Sequence, residues 1–106
     1  MKSVRWAILA IASLAALPAH AEGDAAAGQI KASTCMGCHG IPLYNNAYPT
    51  YRVPKIGGMS VEYLETALKA YRSGEREHPT MRAQAVPMSD QDIADIAAFI
   101  SGAPRR

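Results

Sequence analysis

Cys35-Met36-Gly37-Cys38-His39 is the stretch of this chain whose residue types and spacing could do chemistry. Two thiols separated by two residues lie on one turn of chain, close enough to add to the vinyl groups on one side of a porphyrin. The imidazole that follows is placed to swing under the ring and bind its iron. C-x-x-C-H therefore reads as an attachment site for c-type haem. Three other chemistries use similar residues. A thioredoxin-like redox C-x-x-C belongs beside a βαβ pattern, and the chain shows no strand runs. A structural zinc site takes four Cys or His ligands, and beyond residue 21 there are two Cys and two His, with His78 far from His39. A plain disulfide between Cys35 and Cys38 is compatible with composition but makes His39 a coincidence.

The elements that must position this motif begin after a leader. Met1-Lys2-Ser3-Val4-Arg5 is basic, Trp6 to Leu17 is apolar, and Pro18-Ala19-His20-Ala21 ends in an A-x-A site. That order describes a secretory signal peptide, and the apolar run is short for a bilayer span. The expected organisation is a signal peptide over 1–21 and one domain over 22–106. The whole chain carries a net charge of +2. Lys2 and Arg5 leave with the leader, so nine basic residues then face nine acidic ones. No basic surplus points to nucleic acid or anionic lipid. Trp6 leaves as well, and a domain of 85 residues with one Phe and five Tyr has little aromatic material for a core. Domains this small often need a staple, and a covalently held macrocycle would be one. Export fits too, because the attachment consumes both thiols in an oxidising compartment.

Asp24 is a good N-cap and Ala25, Ala26 and Ala27 favour helix, so a first helix is expected over about 24–35, delivering Cys35. Gly28 inside it costs about 1 kcal/mol relative to Ala and suggests close approach of another helix, with Phe99 placed to pack over it. Residues 40–58, rich in Gly, Pro and Asn, read as a long loop. Loops of that length are usually functional or disordered, and wrapping a cofactor edge would explain this one. Tyr44, Tyr48, Tyr51 and Arg52 are its candidates for contact with the macrocycle, Arg52 being the expected propionate partner. Ser60 opens a second helix carrying Val61, Leu64, Leu68 and Tyr71 on one face, with Glu65 and Lys69 paired opposite and Gly74 as its stop. Residues 75–88, broken by Pro79 and Pro87, read as a second loop. Ser89 with Asp92 resembles a capping box and opens the last helix, whose apolar face is Ile93, Ile96, Ala97 and Ile100.

Four residues compete for the far side of the iron. Met36 is tied to the ring's periphery. Met59 and Met88 each immediately precede an N-cap, with Leu64 and Ile93 as the fourth helical residues, which matches a hydrophobic staple. Met81 has no such occupation and becomes the expected distal ligand, with His78, Met59 and Met88 as the alternatives.

At this point the ordered set of motifs resembles the class I c-type cytochromes, close to the short, soluble, single-haem bacterial type. The resemblance runs from Gly23-Asp24 and Gly28 through Cys35-Met36-Gly37-Cys38-His39-Gly40 to Pro54-Lys55-Ile56-Gly57-Gly58. It continues through Tyr63-Leu64-Glu65-Thr66-Ala67-Leu68, Tyr71-Arg72-Ser73-Gly74-Glu75-Arg76 and His78-Pro79-Thr80-Met81, then Met88-Ser89-Asp90 to Ile100. It implies an all-α fold of about three main helices and two long loops around one covalent haem c, with the first and last helices crossing. It implies Cys35, Cys38, His39 and Met81 as the haem-binding residues, with His39 and Met81 on the iron. It also implies a loop proline carbonyl on the proximal imidazole, for which Pro42 is the nearest candidate. Two departures stand out: Met59 where relatives commonly have Gln, and no Trp after the leader to hold a propionate.

With both axial positions filled, the iron has no open site for substrate, so the expected role is not enzymatic. It is that of a periplasmic electron carrier, expected to be monomeric, docking transiently with a reductase and with a terminal oxidase or other acceptor enzyme. Small, wet interfaces suit such traffic. The competing readings are a haem subunit of a larger periplasmic redox enzyme and, more remotely, a gas-binding haem sensor.

Overall fold

The computed structural model describes residues 22–41 and 53–105. The expected signal peptide lies outside the described residues, as do Pro42, Tyr44, Tyr48, Tyr51 and Arg52. The described residues are helical and contain no strand: α1 Ala25–Lys31, α2 Ser33–His39, α3 Val61–Ser73, α4 Pro79–Ala85 and α5 Asp90–Ser101. The all-α expectation holds, and two details differ from it.

The first concerns the helix that delivers the cysteines. Asp24 caps α1 by accepting from the N–H groups of Ala26 and Ala27, as its residue type suggests. One helix does not then run on to Cys35. The chain turns at the fully buried Ala32 (φ −81°, ψ 6°) and restarts as α2. α1 can therefore lie flat on α5 while α2 aims the motif elsewhere.

The second concerns residues 75–88, where Pro79 and Pro87 suggest only a loop. Pro79 instead starts α4, at the position where a missing N–H costs nothing and a fixed φ helps. His78 is its N-cap, with Nδ1 accepting from the Met81 N–H at 3.3 Å. Met81 therefore sits on a short helix.

α3 and α5 follow the sequence pattern. Ser60 Oγ accepts from the Tyr63 N–H at 3.2 Å. Gly74 closes α3 at φ 84°, a left-handed conformation that glycine adopts without penalty. Ser89 and Asp92 form a reciprocal capping box, at 3.0 and 2.9 Å. Leu64 and Leu68 of α3 join Ile93, Ile96, Ala97 and Ile100 of α5 in one buried cluster, with Ala32, Met36 and Ile41. Arg72 ties α3 to the start of α5, donating to the Met88 carbonyl at 3.0 Å and to Asp90 at 2.6 Å. At the other end the Gly58 N–H donates to the Ile100 carbonyl at 3.0 Å, and Arg105 bonds the Gly58 carbonyl.

α1 and α5 cross at backbone contact. A Cβ on Gly28 would overlap the Asp95 carbonyl and press on Phe99, and one on Gly23 would overlap the Ala94 carbonyl. Beside the crossing, Asp95 is only 3% exposed. It accepts from Lys31 Nζ at 2.6 Å, from the Asp24 N–H at 2.8 Å and from Gln91 at 2.8 Å. Lys31 also pairs with Asp92 at 2.8 Å. Lys31, then backbone and neighbouring side-chain donors, hold both carboxyls down at about 2. The Lys31 ammonium is raised in turn, first by Asp92 and then by Asp95.

Candidate functional site

Away from the α1/α5 crossing, the molecule is built around a cavity of about 330 Å³, within the range of small-molecule and cofactor pockets. Its wall is mostly apolar. Cys35, Cys38 and His39 of α2 line one part; Val53, Pro54, Ile56 and Met59 of the following segment line another. Tyr63, Leu64, Leu68 and Tyr71 come from α3, Met81 from α4, and Ile96 and Ile100 from α5. Arg76, His78 and Met88 complete it with a few small or polar neighbours, and no carboxylate appears among the described lining residues.

The expected macrocycle contacts Tyr44, Tyr48, Tyr51 and Arg52 lie outside the described residues, whereas Cys35, Cys38, His39 and Met81 all face one cavity. The local fold explains how. At the backbone, α2 approaches only α1 among the described helices and α4 only α3, while Met36 and Met81 reach the buried cluster through their side chains. The backbones of the two short helices that carry the candidate ligands therefore do not approach each other, and the cavity is the space between their supports.

His39 is oriented by a residue the sequence did not single out. Its Nδ1 lies 2.7 Å from the Pro54 carbonyl oxygen. A carbonyl can only accept, so the proton sits on Nδ1 and the Nε2 lone pair is left for a metal. The expected proline carbonyl is thus supplied by Pro54, with Pro42 outside the described residues. Pro54 is fifteen positions from His39, and only the path of the chain shows which proline returns. The available signal was the Pro54-Lys55-Ile56-Gly57-Gly58 run, already conspicuous as a motif.

Cys35 and Cys38 are not bridged to each other. Burial pushes the Cys35 thiol up, partly offset by a hydrogen bond with Thr34 and reinforced by the nearby Cys38. A thiol held neutral against an apolar wall is unlike an activated redox cysteine, whose thiolate is favoured by its surroundings. Among the described residues no group of three or more His, Cys, Asp or Glu side chains forms a metal cage on its own.

Met59, Met81 and Met88 all pack against the buried cluster and all line the cavity. Met59 and Met88 have the core contacts a staple implies, yet those contacts do not remove them from the wall. Each is also held through its backbone, Met81 by donating its N–H to His78 Nδ1. Met88 is fixed through its carbonyl to Arg72, and Met59 through its N–H to the Ile56 carbonyl at 3.2 Å, beside the Gly58–Ile100 tie. Met81 rides on α4.

The donor set is coherent: two thiols one turn apart, an imidazole with a committed tautomer and free Nε2, and thioethers on an apolar wall. It fits a flat, iron-bearing macrocycle bonded at its edge to the protein.

Comparison with known proteins gives the same answer. The sequence model of the family described as Cytochrome c matches residues 24–104. Cytochrome c-554(548) of Halomonas halodenitrificans is 48% identical over 82 residues, covering 74% of this chain and 95% of that protein. Cytochrome c4 of Pseudomonas aeruginosa is 41% identical over 83 residues, 78% of this chain and 40% of the relative. A thiosulfate dehydrogenase electron acceptor of Thiomonas intermedia is 31% identical over 94 residues, 89% of this chain and 42% of the relative. The chain thus spans nearly all of the first and about two fifths of the other two.

Proposed function

The chain belongs to the cytochrome c family, and on that premise we propose that it is a periplasmic one-electron carrier with a His/Met-ligated haem. Its cofactor is haem c, iron included and covalently bound, and its general role is haem-based electron transfer. When bound, that group supplies a reversible ferric/ferrous couple.

The chain's own residues would divide the remaining work. Cys35 and Cys38 hold the ring's edge as thioethers. His39 presents Nε2 to the iron, kept in that tautomer by Pro54. Met81 supplies the distal thioether, carried by a helix whose first turn His78 caps. The apolar side chains of α3 and α5 exclude water and favour the less charged, ferrous state. Two protein ligands leave no coordination position for a substrate, which supports a carrier over an enzyme. The leader expected over residues 1–21 supports a periplasmic location, and among the described residues no helix is long and apolar enough to cross a membrane.

The observation that carries this reading is the convergence of the α2 motif and α4's Met81 on one cavity, between helices whose backbones stand apart. Absorption spectra of the purified protein in both redox states, with a midpoint potential, test it. Met81→Ala should abolish the weak far-red band of Met–Fe(III) ligation, while Met59→Leu and Met88→Leu keep it. Loss of the band in Met59→Leu instead would transfer the distal role to Met59.

A second reading has one specific support: two relatives are named as electron acceptors of thiosulfate dehydrogenase. The same haem domain would then serve inside a larger periplasmic redox assembly. Native mass after gentle fractionation separates the two, a monomer supporting the free carrier.

A further inference from the structure

Arg76 is the feature of the cavity wall that the ligand set does not use. Its guanidinium lies 4.8 Å from the centre of the Tyr71 ring and donates to the Tyr63 hydroxyl at 3.5 Å. Its backbone N–H donates to the Ala70 carbonyl at 3.1 Å, so the residue is folded back over α3 just past the Gly74 turn. Arg76 forms no ion pair with any described carboxylate, and the described residues of the wall it lines include none. A guanidinium stacked on an aromatic face and pre-aimed in this way is suited to planar recognition of a carboxylate.

We propose that Arg76, held by Tyr71 and Tyr63, is the fixed cation that pairs with a carboxylate side chain of the bound haem. The inference rests on the haem reading above and assigns a positioning role that the expected Arg52 does not have to carry alone. Pairing neutralises negative charge near the iron. A free carboxylate there would stabilise the ferric form, so the paired state raises the potential. The cation also holds the carboxylate ionised, keeping the potential insensitive to pH.

The test uses the full holoprotein, in which the thioether attachment keeps the cofactor in place whatever happens at residue 76. Arg76→Gln should lower the midpoint potential. Because the site is exposed and screened, the shift should be about three- to tenfold in the ferric/ferrous equilibrium, tenfold being about 59 mV for one electron. The variant should also acquire a pH-dependent potential that the parent lacks. Arg76→Lys should recover most of both. His39, His78, Tyr63 and Tyr71 line the same wall, Arg82 lies against Gly74, and Glu75 and Glu77 flank Arg76. The comparison is therefore variant against parent at each pH, which cancels their titration. If Arg76→Gln keeps the parent potential and pH profile and only melts earlier, Arg76 merely braces two tyrosines and the proposal is wrong. Absence of haem absorption from the parent would instead overturn the functional reading itself.

Discussion

The α1/α5 crossing and the α2/α3/α4 cavity are built on opposite plans. At the crossing, protein meets protein throughout: Gly23 and Gly28 admit the backbone of α5, and Lys31 and the Asp24 N–H satisfy the buried Asp95. Around the cavity, large side chains from α2, α3, α4 and α5 and the 53–59 segment face a shared space, and the backbones of α2 and α4 do not approach one another. The crossing is a finished interface. The cavity wall gets its cohesion from what it encloses, so the fold and the cofactor are one thermodynamic system. A group bound only by the native state adds its binding free energy to folding.

The largest effect should come from removing that contribution. Cys35→Ala with Cys38→Ala is expected to leave little folded protein, because a domain this small has few apolar contacts to spare. Circular dichroism and hydrogen exchange are the measurements. Any surviving protection should lie in α5 and α1, not in α2 or α4. A well-folded double variant with native helix content and uniform protection would break the contrast between the two regions.

The crossing should fail differently, through backbone overlap with the cofactor retained. Gly28→Ala puts a methyl into the Asp95 carbonyl, and forcing the helices apart should cost about 3 kcal/mol. Urea unfolding followed at the haem band and by circular dichroism should show a lower midpoint with the parent absorption spectrum unchanged. An altered far-red band would mean that strain at the crossing reaches the ligands, and that the two regions are less separate than they look.

Acid should act on the crossing by a smaller, graded route. Asp92 and Asp95 are held at about 2 in the folded chain, against an ordinary value of 3.8, chiefly by Lys31. Because the folded values are depressed, the unfolded chain binds more protons as pH falls. The stabilisation is therefore complete above about pH 4 and is lost as pH falls toward 2. Asp95→Asn should flatten that part of the stability–pH profile measured by urea midpoints. An equally steep profile in the variant would place the acid sensitivity elsewhere, at the cavity.

The same contrast explains which features were legible in the residues. Asp24, Gly28 as a glycine inside a helix, Ser89 with Asp92 and the α3 face all announce themselves through local spacing, and each takes its expected place. Cys35, Cys38 and His39 are local as well, so the motif was readable before any fold. α4 was not, because two prolines in a polar stretch look like breakers, although one of them can begin a helix. Pro54's hold on His39 depends on where the chain returns, which no spacing rule contains. The three methionines show the limit most plainly. A staple pattern says that Met59 and Met88 touch the core, but a side chain at the edge of a cavity can touch the core and the cavity together.

The smallest test compares the helix starts on the two sides. Ser89 and Asp92 satisfy two N-terminal donors reciprocally at the head of α5, whereas Ser60 satisfies only the Tyr63 N–H at the head of α3. Each is exposed, so loss of the side chain acts through capping alone. Ser60→Ala should cost about 0.5–1 kcal/mol and Ser89→Ala about 1–2 kcal/mol by denaturant titration of the holoprotein. The ordering matters more than the values. α5 is shared by the crossing and the cavity wall, so fraying its first turn loosens Asp92 from Lys31 and unsettles Met88 through the Arg72–Asp90 bond. α3 starts at the cavity side alone, so the defect in Ser60→Ala has fewer neighbours to spread to. Equal costs in the two variants would show that the capping box contributes no more than a single cap, and that α5 is not the element through which the two regions are joined.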